Sequence, residues 1–289
     1  LDHQDLESSL YPITYRPFIK RWICYHPSIV WTTAKSTHKH LLNTDNIALI
    51  SMRQYKKSVP EYSFIFANKG LTEARVFSSQ TGVASIFPLW LYSDDKNLVR
   101  TSNISTSFIQ SLIGHFDEKS VYKACAYIYA LLHSPIYRRL FGEQLKRSFP
   151  HIPPTCDPHL LEALVICGAQ LLSLHTTQDN NQPTKNQPPI NLGPLEKVIY
   201  STDRLKIIGK FGDLDMTFPS DIWLFNIGGY QVLKTWFKHM RGQHFNEQAF
   251  DELQKLIECL QQTINLQSKI DAIIMHYGGF HNGFKTNFS

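Results

Sequence analysis

The strongest constraint on the fold is a change of hydrophobic period near residue 105. Before it, short apolar runs of strand length (Trp22-Ile23-Cys24-Tyr25, Ile47 to Ser51, Ser63 to Ala67, Ala74 to Phe77, Ile86 to Tyr92) alternate with turn-forming clusters such as Asn68-Lys69-Gly70 and Gln80-Thr81-Gly82. After it, Phe108, Leu112 and Phe116 take helical spacing, and Val121 to Leu132 predicts a second, buried helix. Ser134-Pro135 and Asp157-Pro158 each combine a capping side chain with a proline at the first helical position. They predict helices to about Arg147 and about His175. Lys197 to Tyr200 and Leu205 to Ile208 flank a turn as a small β-hairpin. Asn246 is placed to cap a long core helix carrying Phe250, Leu253, Ile257, Leu260, Ile264 and Ile270.

The expected fold class is therefore α+β: a basic mixed α/β part over residues 1–104 and a mainly helical part over 105–289. A polar, proline-rich stretch at 176–194 reads as a mobile surface loop. No run approaches the eighteen apolar residues of a membrane span, so no membrane partner and a cytoplasmic location are expected. Five widely spaced cysteines, mostly in apolar segments, read as reduced core thiols. An N-terminus without methionine or a signal pattern suggests a piece of a longer polypeptide.

Charge is concentrated. Between Thr14 and Arg75 lie ten basic residues and three acids, while the rest of the chain is close to balanced. Tyr11, Tyr15, Phe18, Trp22, Tyr25, Trp31, Tyr55 and Tyr62 interleave with these cations. Phosphate-seeking charge beside flat apolar rings is the composition of a nucleic-acid surface.

Catalytic motifs are missing from a chain long enough to hold them. Gly209-Lys210-Phe211-Gly212 has the composition of a phosphate loop without its spacing. Gln187-Pro188-Pro189-Ile190 lacks both the amide or carboxylate and the ring that an amino methyltransferase uses to hold a flipped base. Gly228-Gly229 has no surrounding strand-glycine-helix unit and reads as close backbone packing between Trp223 and Trp236. His38 with His40, and His276 with His281, lack the company of a zinc site. No catalytic residue, metal ligand or resident cofactor is assigned.

Five dispersed segments, in family order, resemble the C-terminal region of Type ISP restriction–modification enzymes and related N6-adenine DNA methyltransferases. They are Tyr15-Arg16-Pro17-Phe18 through Tyr25, Asn46 to Gln54, Phe87 to Tyr92, Tyr127 to Arg138, and Trp223 to Lys238. Ile19 departs from the acid that the family tends to have after Tyr-Arg-Pro-Phe, and the insertion at 176–194 is a second departure. The resemblance implies a target-recognition domain that binds double-stranded DNA and presents an adenine to a methyltransferase module elsewhere in the parent chain, beside motor and nuclease modules. S-adenosylmethionine, ATP and Mg would then belong to the parent. Motifs shared by readers of different sites suit positioning, which assigns Arg16, Lys20, Arg21, Lys35 and Lys39 to phosphates, with a structural role equally open for Arg16. Base reading falls to Arg53, Gln54, Lys56, Lys57, Lys69 and Arg75 and to Ser78, Ser79 and Gln80. Two alternatives are a helical scaffold docking to motor or methyltransferase subunits, and a single-strand or RNA binder.

Overall fold

The computed structural model describes residues 3–55, 61–77, 82–93, 99–177 and 190–285. A short helix α1 (His3–Ser8) leads into an antiparallel hairpin of β1 (Leu10–Arg16) and β2 (Ile19–Cys24), followed by a loop and the single turn α2 (Lys35–His38). β3 (Ile47–Ser51) is the centre of an antiparallel sheet, with β4 (Ile65–Lys69) on one side. After Gly70 the chain enters β5 (Leu71–Thr72), which pairs in parallel with β1. β6 (Ser85–Pro88) is the other neighbour of β3, and β7 (Trp90–Tyr92) pairs with β8 (Arg100–Ser102). Residues 74–77, expected as a strand, form a turn instead, because Glu73 bends the chain by accepting from the Arg75 N–H at 3.0 Å.

The helical part follows the caps. α3 (Thr106–Ile113) is followed by α4 (Glu118–His133), where Asp117 accepts from the Ser120 N–H and the Ser120 hydroxyl accepts from the Asp117 N–H. Ser134 caps α5 (Pro135–Leu140), and the helix expected to reach Arg147 breaks at Phe141 before resuming as α6 (Gly142–Leu145). Asp157 caps α7 (Pro158–Thr176) through the N–H groups of His159 and Leu160.

The expected small hairpin is larger. β9 (Asn191–Ser201) and β10 (Arg204–Gly209) turn through Thr202 and Asp203, both at positive φ, as a two-residue hairpin of type I′ requires. They are joined by β11 (Gly212–Thr217). α8 (Ser220–Leu224), the two-residue strands β12 (Asn226–Ile227) and β13 (Tyr230–Gln231), and α9 (Val232–Met240) come next. β14 (His244–Asn246) then completes a sheet of order β11-β10-β9-β14. Asn246 caps α10 (Glu247–His276), and α11 (Gly279–Asn282) ends the fold. On α10 the buried stripe runs through Leu253, Leu256, Leu260, Thr263, Gln267 and Ile270, so Ile257 and Ile264 stand at its margin.

α4, α7 and α10 pack together, and α7 also lies on β4. α7 is the one described helix long and apolar enough to cross a membrane by length and composition, and here it is an inner helix of this packing. A Cβ on Gly168 of α7 would fall 1.9 Å from the Ala126 carbonyl oxygen of α4, so the two helices meet backbone to backbone. One apolar core runs through both parts of the chain, including Phe64, Phe77, Tyr127, Leu171, Trp236 and Leu260. Cys125 and Cys167 are buried in it, Cys24 and Cys259 are partly buried, and Cys156 is exposed and so is not a core thiol.

Inside the core sits a polar chain. The Tyr129 hydroxyl lies 2.5 Å from His175 Nδ1, His175 Nε2 lies 3.0 Å from the Thr263 hydroxyl, and His133 Nδ1 lies 2.8 Å from the Tyr129 carbonyl. Burial pushes the His175 imidazole down to about 3 and holds His133 well below the usual range, so both are neutral at pH 7. Arg138 is also buried and donates from Nε to the Leu132 carbonyl at 2.7 Å.

Candidate nucleic-acid interface

The β1–β2 hairpin turns through Pro17 and Phe18, with Arg16 facing Ile19 across it. Phe18 adopts φ +65°, a left-handed conformation that glycine takes without strain and that costs a bulky residue roughly 1–3 kcal/mol. Its ring is buried edge-on to Phe66 at 5.0 Å and to His175 at 5.5 Å. That packing offsets the strain and fastens the tip of the hairpin to the core.

Register sorts the side chains. Thr14 faces Lys20 and Pro12 faces Trp22, placing Lys20 and Trp22 on one face; Ile13 faces Arg21, placing Arg21 on the other face with Tyr15. Lys20, Arg21 and Trp22 are all exposed, Trp22 by 73%. The Arg21 guanidinium lies 4.0 Å from the centre of the Tyr15 ring and donates from Nη2 to His239 Nδ1 at 3.1 Å. Burial, and then the adjacent Arg21 charge, depress the His239 pKa, which suits a neutral imidazole accepting from a guanidinium.

Arg16 is a different case. It is buried, donates from Nη1 to Glu73 Oε2 at 2.9 Å and to the Tyr15 carbonyl at 2.6 Å, and lies over the rings of Tyr15 at 3.9 Å and Tyr230 at 4.9 Å. Of the two roles open to it, this geometry is the structural one: a charge-assisted brace between hairpin, turn and the C-terminal part. The same Glu73 carboxylate serves the acid-poor start of the hairpin, where Ile19 supplies no charge.

The expected base-reading residues fall into separate places. Lys69 ends β4 and, with Lys20, Asn43 and Asp45, rims a cleft of about 320 Å³ floored by Phe18 and His175. Arg75 is exposed in the turn after β5, beside the hairpin through the β1–β5 pairing and the Glu73 N–H bond to the Thr14 carbonyl. Arg53 and Gln54 are exposed just past the other end of β3, whose run from Ile47, the partner of Lys69, to Ser51 spans about 13 Å at about 3.3 Å per residue. Lys56, Lys57, Ser78, Ser79 and Gln80 lie outside the described residues, as does most of the loop at 176–194. Lys35 is exposed on α2, and Lys39, partly buried, follows it.

The aromatic set also divides. Tyr55, Tyr62 and Phe18 belong to the core, while Trp22 and Trp31 point outward. His38 and His40 are engaged with the Thr33 carbonyl and the Tyr92 N–H, and among the described residues no group of three or more potential metal ligands occurs.

Sequence reasoning missed the contribution of the C-terminal part. Gly228 is at φ +62° and a Cβ there would lie 2.7 Å from the Phe77 Cβ. The Gly228 N–H donates to the Ser63 carbonyl and the Gly229 N–H to the Phe77 carbonyl, both at 2.8 Å. The close packing expected of this turn is therefore against the N-terminal part and not between Trp223 and Trp236. It delivers Tyr230 to Arg16 and sets His239, in the last turn of α9 with exposed Lys238, beside Arg21, and exposed Lys234 lies one turn earlier. The lysines at a four-residue spacing ahead of His239 and Arg241 were the available signal.

Solved structures share this fold, three of them as follows. The ATP-dependent Type ISP restriction-modification enzyme LlaBIII bound to DNA matches with a TM-score of 0.69 and 18% identity, over 91% of this chain and 18% of that one. A nuclease-deletion mutant of the Type ISP enzyme LlaGI in complex with a DNA substrate mimic gives 0.64 and 17%, over 91% and 20%. The DrdV–DNA complex gives 0.67 and 17%, over 93% and 28%. At these identities the likeness is one of fold, and the chain spans less than a third of each solved protein. No curated protein matches it. The family model of the Type ISP C-terminal specificity domain, however, matches residues 2–266, and the chain belongs to that family.

Proposed function

We propose that this specificity domain recognises a duplex DNA sequence and positions a target adenine for N6-methylation by a methyltransferase module of a longer polypeptide. S-adenosylmethionine, and ATP and Mg where motor and nuclease modules are present, are assigned to those other modules. The observation that carries the reading is the exposure of β2, which presents cations on both of its faces. Lys20, Arg21 and Trp22 stand exposed on β2, within a stretch that has no acidic residue between Glu7 and Asp45. A duplex presents phosphates to such cations and base edges to the forked side chains of Arg53, Gln54 and Arg75. The neighbours of this fold being DNA complexes supports the same reading.

A second reading has an observation of its own and is compatible with the first. An apolar cleft of about 460 Å³ opens between the β3–β6 sheet and helices α3 and α4, lined by Leu49, Phe87, Phe108, Ile128, Leu132 and Phe149. It suits docking of another module of the same parent chain.

Competition between duplex DNA, single strands and RNA tests the proposal. Duplex should win, and if about six phosphates are neutralised, log K should fall against log salt with a slope of about −5. Salt-independent binding would favour the docking module, and preference for single strands would favour the stacking binder.

A further inference from the structure

The loop between β2 and α2 holds a tryptophan in water on an ordered frame. Its neck is closed by Tyr25, whose N–H donates to the Ser9 carbonyl at 2.7 Å and whose hydroxyl donates to the Thr33 carbonyl. His38 Nδ1 lies 3.1 Å from that same carbonyl, and the Tyr25 and His38 rings meet edge to face at 5.8 Å. Within the loop the N–H groups of Ile29 and Val30 both donate to the His26 carbonyl, at 2.9 and 3.0 Å, and the Ser28 N–H donates to His26 Nδ1 at 3.2 Å. Despite these bonds, Ile29 is 50% exposed and Trp31 is 102% exposed, whereas Trp90 and Trp236 are 4% and 5% exposed.

A tryptophan in solvent forfeits the largest burial contribution available to any side chain, and an ordered backbone beneath it removes much of the ordering cost of binding. The surroundings select the partner. Lys35 and Lys39 follow Trp31 by four and eight residues, and no acid lies nearer in sequence than Glu7 or Asp45. A flat apolar ring in a cationic setting fits a polyanion that also offers flat apolar faces, which is the base stack of DNA.

We propose that Trp31, with Ile29 beside it, is a wedge that stacks into a base step of the bound duplex while the neighbouring cations hold the phosphates. The proposal rests on the duplex-DNA reading and adds a deforming contact to it. Unstacking is easiest at flexible pyrimidine–purine steps, so the wedge contributes to target choice without touching a base edge.

The test uses the chain with Trp31→Ala, Trp31→Phe and Lys35→Ala variants, measuring duplex affinity across salt and tryptophan emission. Trp31→Ala should melt like the parent, lose most of the DNA-induced quenching and bind roughly tenfold more weakly with an unchanged salt slope, because stacking carries no counterion release. Trp31→Phe should recover most of the affinity, and Lys35→Ala should instead flatten the slope. A mismatch placed at the wedged step should tighten binding of the parent chain and not of Trp31→Ala. Parental affinity and quenching in Trp31→Ala overturn the wedge alone, as does a lowered melting temperature, which would give the ring a structural role. Absence of duplex binding by the unmodified chain overturns the DNA reading and the wedge together. An emission change on adding the parent's other modules but not DNA overturns the wedge in favour of a protein interface.

Discussion

On the hairpin, Arg21 lies in solvent against the Tyr15 ring, with Lys20 and Trp22 beside it in the strand; in the helical part, His133 on α4, Arg138 on α5 and His175 on α7 are buried. The outer set stands exposed and leaves the Trp22 ring in solvent. The inner set is held by hydrogen bonds to carbonyls and hydroxyls, with both histidines neutral. Composition sums these groups into one basic balance, yet only the outer set is placed to meet a polyanion. A contact surface and a scaffold can therefore be separated by where a lesion registers: in binding or in stability.

The largest effect should come from the scaffold. Gly168→Val drives a side chain into the α4 backbone at Ala126, and about 3 kcal/mol or more of stability should be lost, read as a lowered denaturant midpoint. Duplex affinity per folded molecule should not change. A loss of affinity at intact stability would join the helix crossing to the contact surface and break the comparison.

Acid should act next, and on the inner set. The unfolded chain takes up protons on His133 and His175 below about pH 6.5, whereas the folded chain refuses the His175 proton until about pH 3. The contribution of the two histidines is thus fully present above pH 6.5 and is lost as the pH drops, by up to about 1.4 kcal/mol per pH unit for His175 down to about pH 3, with His133 acting in the same direction. His175→Phe should remove one of these contributions and reduce the pH slope of the denaturant midpoint, even though unpairing Tyr129 and Thr263 lowers stability at neutral pH by about 1–3 kcal/mol. An unchanged slope would mean that this imidazole is not the inaccessible group.

Within the outer set, Arg53→Ala or Gln54→Ala should narrow the gap between cognate and random duplex by about 1–3 kcal/mol, measured by competition once methylation mapping with the parent enzyme has found the site. Equal losses on both duplexes would make that end of β3 an anchor.

The smallest change in stability should be that of Lys20→Ala with Arg21→Ala, within about 0.5 kcal/mol for each exposed position, while the salt slope flattens by about one unit for every phosphate no longer neutralised. Arg16→Ala should do the reverse, lowering the melting temperature and leaving the slope alone. This pair of measurements sharpens the boundary between the two sets at neighbouring residues of one hairpin.

The elements legible in the sequence are those whose cause is local. Ser134, Asp157 and Asn246 announce their helices because a cap needs only the next three residues. β3 is legible as an apolar run bounded by turns. The strand expected at 74–77 failed because a distant group decides it: Glu73 is held by Arg16, fifty-seven positions away. β14 is three residues long and exists only through pairing with β9, and the sequence around Gly228 does not contain its partner Phe77. At the candidate site, the concentration of charge was readable and the orientation of each cation was not. Arg16 and Arg21 differ by burial and partners that a linear spacing does not carry. The contribution of α9 was hidden for the same reason.

The left-handed Phe18 gives the hairpin an engineering property. A glycine at that turn would leave the tip free to swing, so any exchange on the outer strand could also alter the pose of its neighbours. With an aromatic plug in the core, β2 acts as a fixed rail on which positions 20 and 22 are interchangeable inserts. Libraries that diversify those outward positions while retaining Pro17 and Phe18 should yield folded proteins with shifted DNA affinities, which makes the hairpin the natural first segment for tuning binding strength apart from the residues proposed to read bases.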